Sequence, residues 1–360
     1  KGAVYLPKDG QGDPGNIALA LAKGARMNGA QVFEHVRVTQ VSEVDRNGQR
    51  GVSGVSWTRD DTGETGTIAT DFVVNCGGMW AAELGRMNNV NVPLQACEHF
   101  YIVTENVPGL TQCPTLRVPD EHAYFKEDAG KYLLGAFEPV SKPWGMHGIP
   151  KDFEFDQLPE DFAHFEPILE KAITRMPLLE RAGIHTFFNG PESFTPDDAY
   201  HLGEAPDLRG YFVAAGFNSV GIQSAGGAGM ALAHWMEHGY PPFDLSDVDI
   251  RRMQPFMGNR TFLVERAKET LGLLYADHYP YRQKDTARGV RRSPFHDALQ
   301  FRGAVFGETA GWERANWYAA PGQAAAYEYS WKRQNWFMNS AAEHRAIREG
   351  VGLYDMTSFG

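Results

Sequence analysis

Ala215-Gly216-Phe217-Asn218-Ser219-Val220-Gly221-Ile222 joins an apolar run that reads as a strand (Tyr211–Ala215) to a small-residue run over 225–233 that reads as a helix. A Gly-flanked turn at a helix start offers free backbone amides to an electron-rich ring edge. It equally suits close helix–strand packing through Gly226, Gly227 and Gly229. The run Asp71-Phe72-Val73-Val74-Asn75-Cys76-Gly77-Gly78-Met79-Trp80 has the same construction. Its short apolar strand ends in Gly77-Gly78, where small residues let a flat cofactor or its diphosphate approach the backbone. A helix beginning near Trp80 adds a positive dipole end. Alone, that run serves as well for a tight packing turn. Two such turns about 140 residues apart favour one shared cofactor and an α/β frame.

Outward from these runs, residues 1–80 alternate helix and strand signals. Asp13-Pro14 pairs an N-cap with Pro at the first helical position, so a helix is expected over 17–28, ended by Gly29. Residues 31–44 read as a strand, and Asn47-Gly48 as a hairpin turn into a second strand over 51–58. Gly10-Gln11-Gly12-Asp13-Pro14-Gly15 spells GxGxxG, with Glu34 downstream. A dinucleotide turn must follow a buried strand directly, whereas Pro7, Lys8 and Asp9 intervene, and Asp13 would put a carboxylate among the phosphate-binding amides. The expectation is a capped loop-to-helix turn.

Residues 90–184 carry β-rich runs at 100–104, 123–125 and 132–137, then an acidic helical stretch after Pro159. This predicts a separate antiparallel-sheet domain, so α+β joins α/β. From Pro241 onward, Pro-, Arg- and Trp-rich segments mark another boundary.

The 360 residues are 42% hydrophobic, ample for two or three cores. With 34 Lys and Arg against 45 Asp and Glu, the formal charge of −11 repels phosphate backbones, so nucleic acid is not an expected partner. Cys76, Cys97 and Cys113 form no CxxC pair, which points to reduced thiols with neither a disulfide framework nor a metal site. No apolar run approaches the roughly 20 residues of a membrane span. The chain begins at Lys1, and residues 351–360 stop in what reads as a new strand or turn, so both ends look cut.

Glu98-His99-Phe100-Tyr101 opens a strand of the second domain. A His between an acid and aromatics can take a proton from an amine near neutral pH, or can simply hydrogen-bond within the sheet. Tyr124 could add a hydroxyl to the same cavity.

Six motifs together are similar to the sarcosine and dimethylglycine dehydrogenases, flavoenzymes of the D-amino-acid-oxidase type fused to a glycine-cleavage T-protein-like, folate-binding domain. They are DGQGDP (9–14), VVNCGGMWAAELGRM (73–87), EHFYIVT (98–104), NGPESFTPD (189–197), GEAPDLRGYFVAAGFNSVGI (203–222) and GWERANWY (311–318). The resemblance covers essentially the whole chain. It implies an incomplete FAD-binding domain over 1–89 and 185–240, a β-rich substrate domain over 90–184, and a connecting domain over 241–330. An aminomethyltransferase-like domain would begin over 331–360. The true dinucleotide turn and a His covalently attached to FAD are expected before Lys1.

By position, the resemblance puts Val38 near the adenosine half of FAD and Trp80, with Gly77 and Gly78, against the flavin. Gly216, Phe217, Asn218, Ser219, Val220, Gly221 and Ile222 would wrap the ring edge, while His99 and Tyr124 would line its substrate side. The departures are Cys76-Gly77, where Ala-Ala or Cys-Ala is usual, and Ala123, where some relatives carry a second Tyr.

The implied reaction is oxidative demethylation of sarcosine or dimethylglycine, with His99 favouring the neutral amine and Tyr124 orienting it. Lys126 and Arg117 are candidate partners for the substrate carboxylate. The carbon would go to tetrahydrofolate or formaldehyde, and the electrons to an electron-transfer flavoprotein or oxygen. Such a protein would sit in the cytoplasm of a bacterium or the mitochondrial matrix of a eukaryote. The rival readings are a non-catalytic regulatory subunit of the pyruvate dehydrogenase phosphatase type and an oxygen-using amine oxidase.

Overall fold

The computed structural model describes residues 2–359; Lys1 and Gly360, the expected cut ends, lie outside the described residues. Two compact units divide the chain, Lys1–Tyr275 and Ala276–Gly360.

In the first unit, α1 (Pro14–Met27) starts where Asp13 caps it, the carboxylate accepting from the Asn16 amide at 2.7 Å, with Pro14 in the first turn. No strand precedes it among the described residues, so Gly10 to Gly15 form a capped loop-to-helix turn. Strands β1 (Val36–Arg46) and β2 (Gln49–Arg59) make the expected hairpin, with Asn47 (φ 60) and Gly48 (φ 82) both left-handed as a type I′ turn requires. β1 begins at Val36 rather than at residue 31, because His35 (φ 57) reverses the backbone just before it. β3 (Thr65–Ala69) completes a three-stranded sheet. β4 (Val73–Asn75) is short and leads through a 3₁₀ turn (Gly78–Trp80) into α2 (Ala81–Arg86).

The second sheet contains β5 (Gln95–Thr104), β6 (Leu116–Val118), β7 (Ala123–Asp128) and β8 (Lys131–Ala136), with the small β9 (Lys142–Pro143) beside β5. After α3 (Phe162–Arg175), the sheet gains β10 (Ile184–Phe194), giving the order β10-β5-β8-β7-β6 with every pair antiparallel. Sequence reading assigned residues from 185 to the flavin-binding stretch, yet β10 pairs with β5 along its length. Pro191 sits within β10 and is tolerated because this is an edge strand. Alternation decides the two faces. Phe100, Ile102, Phe125, Leu134 and Phe187 bury under α3 residues Phe165, Ile168 and Ala172. His99, Tyr101, Tyr124 and Glu192 take the opposite face.

The chain then returns to a third sheet through β11 (His201–Glu204) and β12 (Tyr211–Ala215), ordered β11-β12-β4, with β12 parallel to β4. α4 (Gly221–His238) begins four residues before the expected helix and packs Ala228, Ala231, Leu232 and Trp235 on Leu202 and Phe212. α5 (Arg260–Leu273) ends the unit, its Ala267 and Leu271 clustering with Cys97, Phe137, Phe194 and Tyr275.

The second unit holds α6 (His296–Phe301), the hairpin of β13 (Ala304–Thr309) and β14 (Trp312–Tyr318), and α7 (Phe337–Glu349). Trp317 is buried there at 1% exposure, and Arg288 pairs with Glu313. Residues 351–359 form a turn at Thr357-Ser358 rather than a strand. Among the described residues no helix is long and apolar enough to cross a membrane.

Candidate functional site

Because β12 runs parallel beside β4, with Val213 opposite Asn75, both strands end at the same edge of their sheet. The two Gly turns singled out in the sequence therefore meet. Cys76, Gly78, Met79 and Trp80 from one, and Gly216, Phe217 and Gly221 from the other, line a single cavity of about 640 Å³. Ala225, Ala228, Gly229 and Leu232 of α4 make its wall apolar, and Glu192 of β10 brings the one carboxylate.

The turn after β12 is held in a shape few side chains tolerate. Gly216 (φ 66), Asn218 (φ 49) and Ser219 (φ 62) are left-handed. A Cβ on Gly216 would stand 2.5 Å from Leu94 Cδ2 and 2.6 Å from Thr195 Cγ2. Asn218 is buried and turned away from the cavity. Its Oδ1 accepts from the Thr195 amide and its Nδ2 donates to Thr195 Oγ1, both at 2.9 Å. The Ser219 amide donates to Glu192 Oε1 at 2.8 Å, and its hydroxyl to Glu192 Oε2. Val220 caps α4 with no side-chain bond, and among the described residues the amides of Gly221, Ile222 and Gln223 have no partner. The Ile222 side chain is largely exposed and does not line the cavity.

The turn after β4 is braced by Asn75, whose Nδ2 donates to the Ala81 carbonyl (2.9 Å) and the Tyr211 hydroxyl (3.0 Å) while its Oδ1 accepts from the Gly77 amide (3.0 Å). Gly77 serves packing, since a Cβ there would stand 2.7 Å from Leu84 Cδ1 and 3.2 Å from the Ala81 nitrogen. Val38 lies on β1 and does not line this cavity. An apolar slot with free amides at one end and no side chain at Gly216 fits a flat ring with acceptor atoms on its edge.

His99 and Tyr124 lie on the face of the second sheet opposite α3, beside the cluster that α5 forms there, and share Phe137, with ring centroids 5.0 and 6.0 Å from it. Tyr124 lies flat over Gly135, where a Cβ would fall 1.9 Å from its Cζ. On the other side of β5, Gly190 stands opposite His99. His99 Nδ1 is 3.1 Å from Glu138 Oε2, and Glu138 Oε1 accepts from the Phe100 amide at 3.1 Å. Burial pulls the His99 pKa down, but the Glu138 charge, its hydrogen bond and the Glu192 charge outweigh this and raise it above the ordinary value. Burial, with Tyr275, Glu192, Glu138 and Tyr101 nearby, pushes Tyr124 up, so its phenol stays a donor.

Neither His99 nor Tyr124 lines the 640 Å³ cavity. Glu192 links the two regions, because it lines that cavity and acts electrostatically on both residues. Of the two candidate cations, Lys126 is paired with Asp128 at 3.4 Å. Arg117 stacks on Tyr275 (4.5 Å) and donates to its hydroxyl (3.0 Å), with no carboxylate partner among the described residues. Sequence reading missed Glu138 and Glu192, although Glu192 lay inside the quoted NGPESFTPD run.

Residues 1–235 match the family described as FAD dependent oxidoreductase. The chain belongs to that family. Residues 238–293 match an FAD dependent oxidoreductase central domain and residues 295–360 a GCVT N-terminal domain. The chain is similar to 4-methylaminobutanoate oxidase (formaldehyde-forming) of Paenarthrobacter nicotinovorans, 43% identical over 99% of this chain and 42% of that one. It is 38% identical to human mitochondrial sarcosine dehydrogenase, over 92% of this chain and 35% of that one. It is also 37% identical to the mouse mitochondrial pyruvate dehydrogenase phosphatase regulatory subunit, over 99% of this chain and 40% of that one. The chain thus spans less than half the length of these curated relatives. FAD supplies a two-electron acceptor when bound, and the residues present fit it. Gly78, Trp80, Gly216 and Phe217 would hold the flat ring, with the α4 amides at its edge.

Proposed function

We propose that the chain carries the flavin-facing and substrate-facing parts of an enzyme that oxidatively demethylates an N-methyl amino acid. The observation that carries this reading is the Glu138–His99 pair on the face that also presents Tyr124 and Glu192. A carboxylate can only accept, so His99 Nδ1 is the donor and its Nε2 holds a lone pair with no partner among the described residues. That nitrogen takes a proton from the substrate ammonium, leaving the neutral amine from which hydride loss is easier. Glu192 and Glu138 stabilise the resulting imidazolium. The Tyr124 hydroxyl orients the amine, and Arg117 meets the substrate carboxylate. The carbon leaves as formaldehyde or passes to tetrahydrofolate, and an electron-transfer flavoprotein reoxidises the cofactor. The likeness to a demethylating oxidase and to a sarcosine dehydrogenase supports the class of chemistry.

His99→Ala in the full-length flavoprotein should slow flavin reduction by roughly 10² or more with FAD still bound. An unchanged rate would sink the base assignment. The likeness to a phosphatase regulatory subunit favours a second reading, a non-catalytic interaction protein. That reading requires wild-type flavin to stay oxidised with every N-methyl amino acid tried.

A further inference from the structure

Glu138 lies two residues after β8 and is 1% exposed, and the group it pairs with is His99. Its two oxygens are divided between two donors on adjacent residues of β5. Oε1 accepts from the Phe100 amide and Oε2 from His99 Nδ1, each at 3.1 Å. A backbone amide can only donate, so the Phe100 contact pins the carboxyl group in its plane, and the other oxygen faces the imidazole. The ring is fixed from its other sides by Phe137 and Phe194, at centroid distances of 5.0 and 6.3 Å, and remains 14% accessible.

We propose that Glu138 is the positioning residue of this site. Held by the Phe100 amide, it keeps the proton of His99 on Nδ1 and thereby presents the Nε2 lone pair to the substrate amine. The proposal rests on the reading of His99 as the base. In the step it serves, an ammonium N–H bond breaks and an Nε2–H bond forms, while the Nδ1–H bond to Glu138 persists. Glu138 takes no proton itself. The other ionisable groups around the ring are Glu192 from β10, Tyr124 from β7, and Tyr275 with Arg117 beyond Phe137; α5 contributes the uncharged Ala267 and Leu271.

The informative variant is Glu138→Gln, which keeps the shape. The Phe100 amide requires the carboxamide oxygen on its side, so the NH₂ group must face Nδ1. Nδ1 then becomes an acceptor and the proton moves to Nε2, where it blocks the base. The assay is the anaerobic flavin reduction rate of the full-length holoenzyme with sarcosine, dimethylglycine and 4-methylaminobutanoate across pH. Glu138→Gln should lower the limiting rate by roughly 10² or more. It should also move the acid limb to lower pH, since removing the carboxylate leaves burial as the dominant influence on His99. Glu138→Asp, which keeps the charge, should hold the limb near its wild-type position. Adding Glu138→Gln to His99→Gln should slow the enzyme no further.

A wild-type rate and limb in Glu138→Gln, with His99→Gln inactive, would overturn the positioning role alone. So would a double variant slower than His99→Gln. A wild-type rate in His99→Gln would overturn both this proposal and the base assignment. Should the amide variant lose its flavin, Glu138→Asp decides: an acid limb displaced downward despite the retained charge contradicts the proposal.

Discussion

Replacing Gly216 by Ala adds one methyl group at the most constrained point of the turn after β12. Two costs follow from the geometry. At φ 66 an L side chain is strained, by about 1 kcal/mol. The new Cβ would also fall 2.5 Å from Leu94 and 2.6 Å from Thr195, both on well-packed segments, and such overpacking costs about 1–3 kcal/mol. The sum is about 3 kcal/mol, which for a unit of this size lowers Tm by roughly 6–12 °C. The Thr195 side gives way least, because that residue is tied twice to Asn218. Relief must therefore come from the turn moving toward the cavity, where it would displace the ring. Gly226→Ala is the control, since a Cβ there meets nothing within 4 Å and the residue does not line the cavity. Thermal unfolding and flavin content of the full-length protein, measured for both variants, separate the outcomes. Gly216→Ala with wild-type Tm and full flavin would refute the reasoning.

Other positions give equally specific expectations. Gly135→Ala should push Tyr124 off its seat and slow flavin reduction roughly tenfold while FAD stays bound, as stopped-flow absorbance would show. Arg117→Ala should raise KM for an N-methyl amino acid about tenfold with little change in kcat, because it removes a charge contact made alike in ground and transition states. His201 is fully buried, donates Nε2–H to the Pro93 carbonyl at 2.8 Å, and has its pKa lowered to about 4, chiefly by burial. Its folded pKa lies below the unfolded value, so its contribution is complete above about pH 6.5 and is lost as pH falls toward 4. The loss reaches about 3 kcal/mol, and denaturant midpoints against pH should be flatter in His201→Gln.

The two Gly turns that line the cavity were legible because their signals are local. An apolar run, small residues and a helix start lie within about ten positions, and the parallel pairing of β4 with β12 then unites them. The false fingerprint at Gly10 to Gly15 was legible for the same reason, through the Asp13 cap. Glu138 was not, since its contact with His99 spans 39 residues and depends on how β8 lies beside β5. Membership of β10 in the second sheet was hidden by Gly190-Pro191, which reads as a loop until the strand is known to sit at an edge. Glu192 acquires meaning only from that placement, which sets one carboxylate between the cofactor turn and His99. Arg117 and Lys126 looked equivalent as residue types. The ion pair with Asp128 and the stacking on Tyr275 distinguish them.

The central claim, amine oxidation at this flavin, is tested most directly by anaerobic mixing of the full-length protein with sarcosine, dimethylglycine and 4-methylaminobutanoate while flavin absorbance is followed. Bleaching with at least one of them, slowed by roughly 10² in His99→Ala, is the predicted result. Flavin that is bound yet stays oxidised with all three would contradict it.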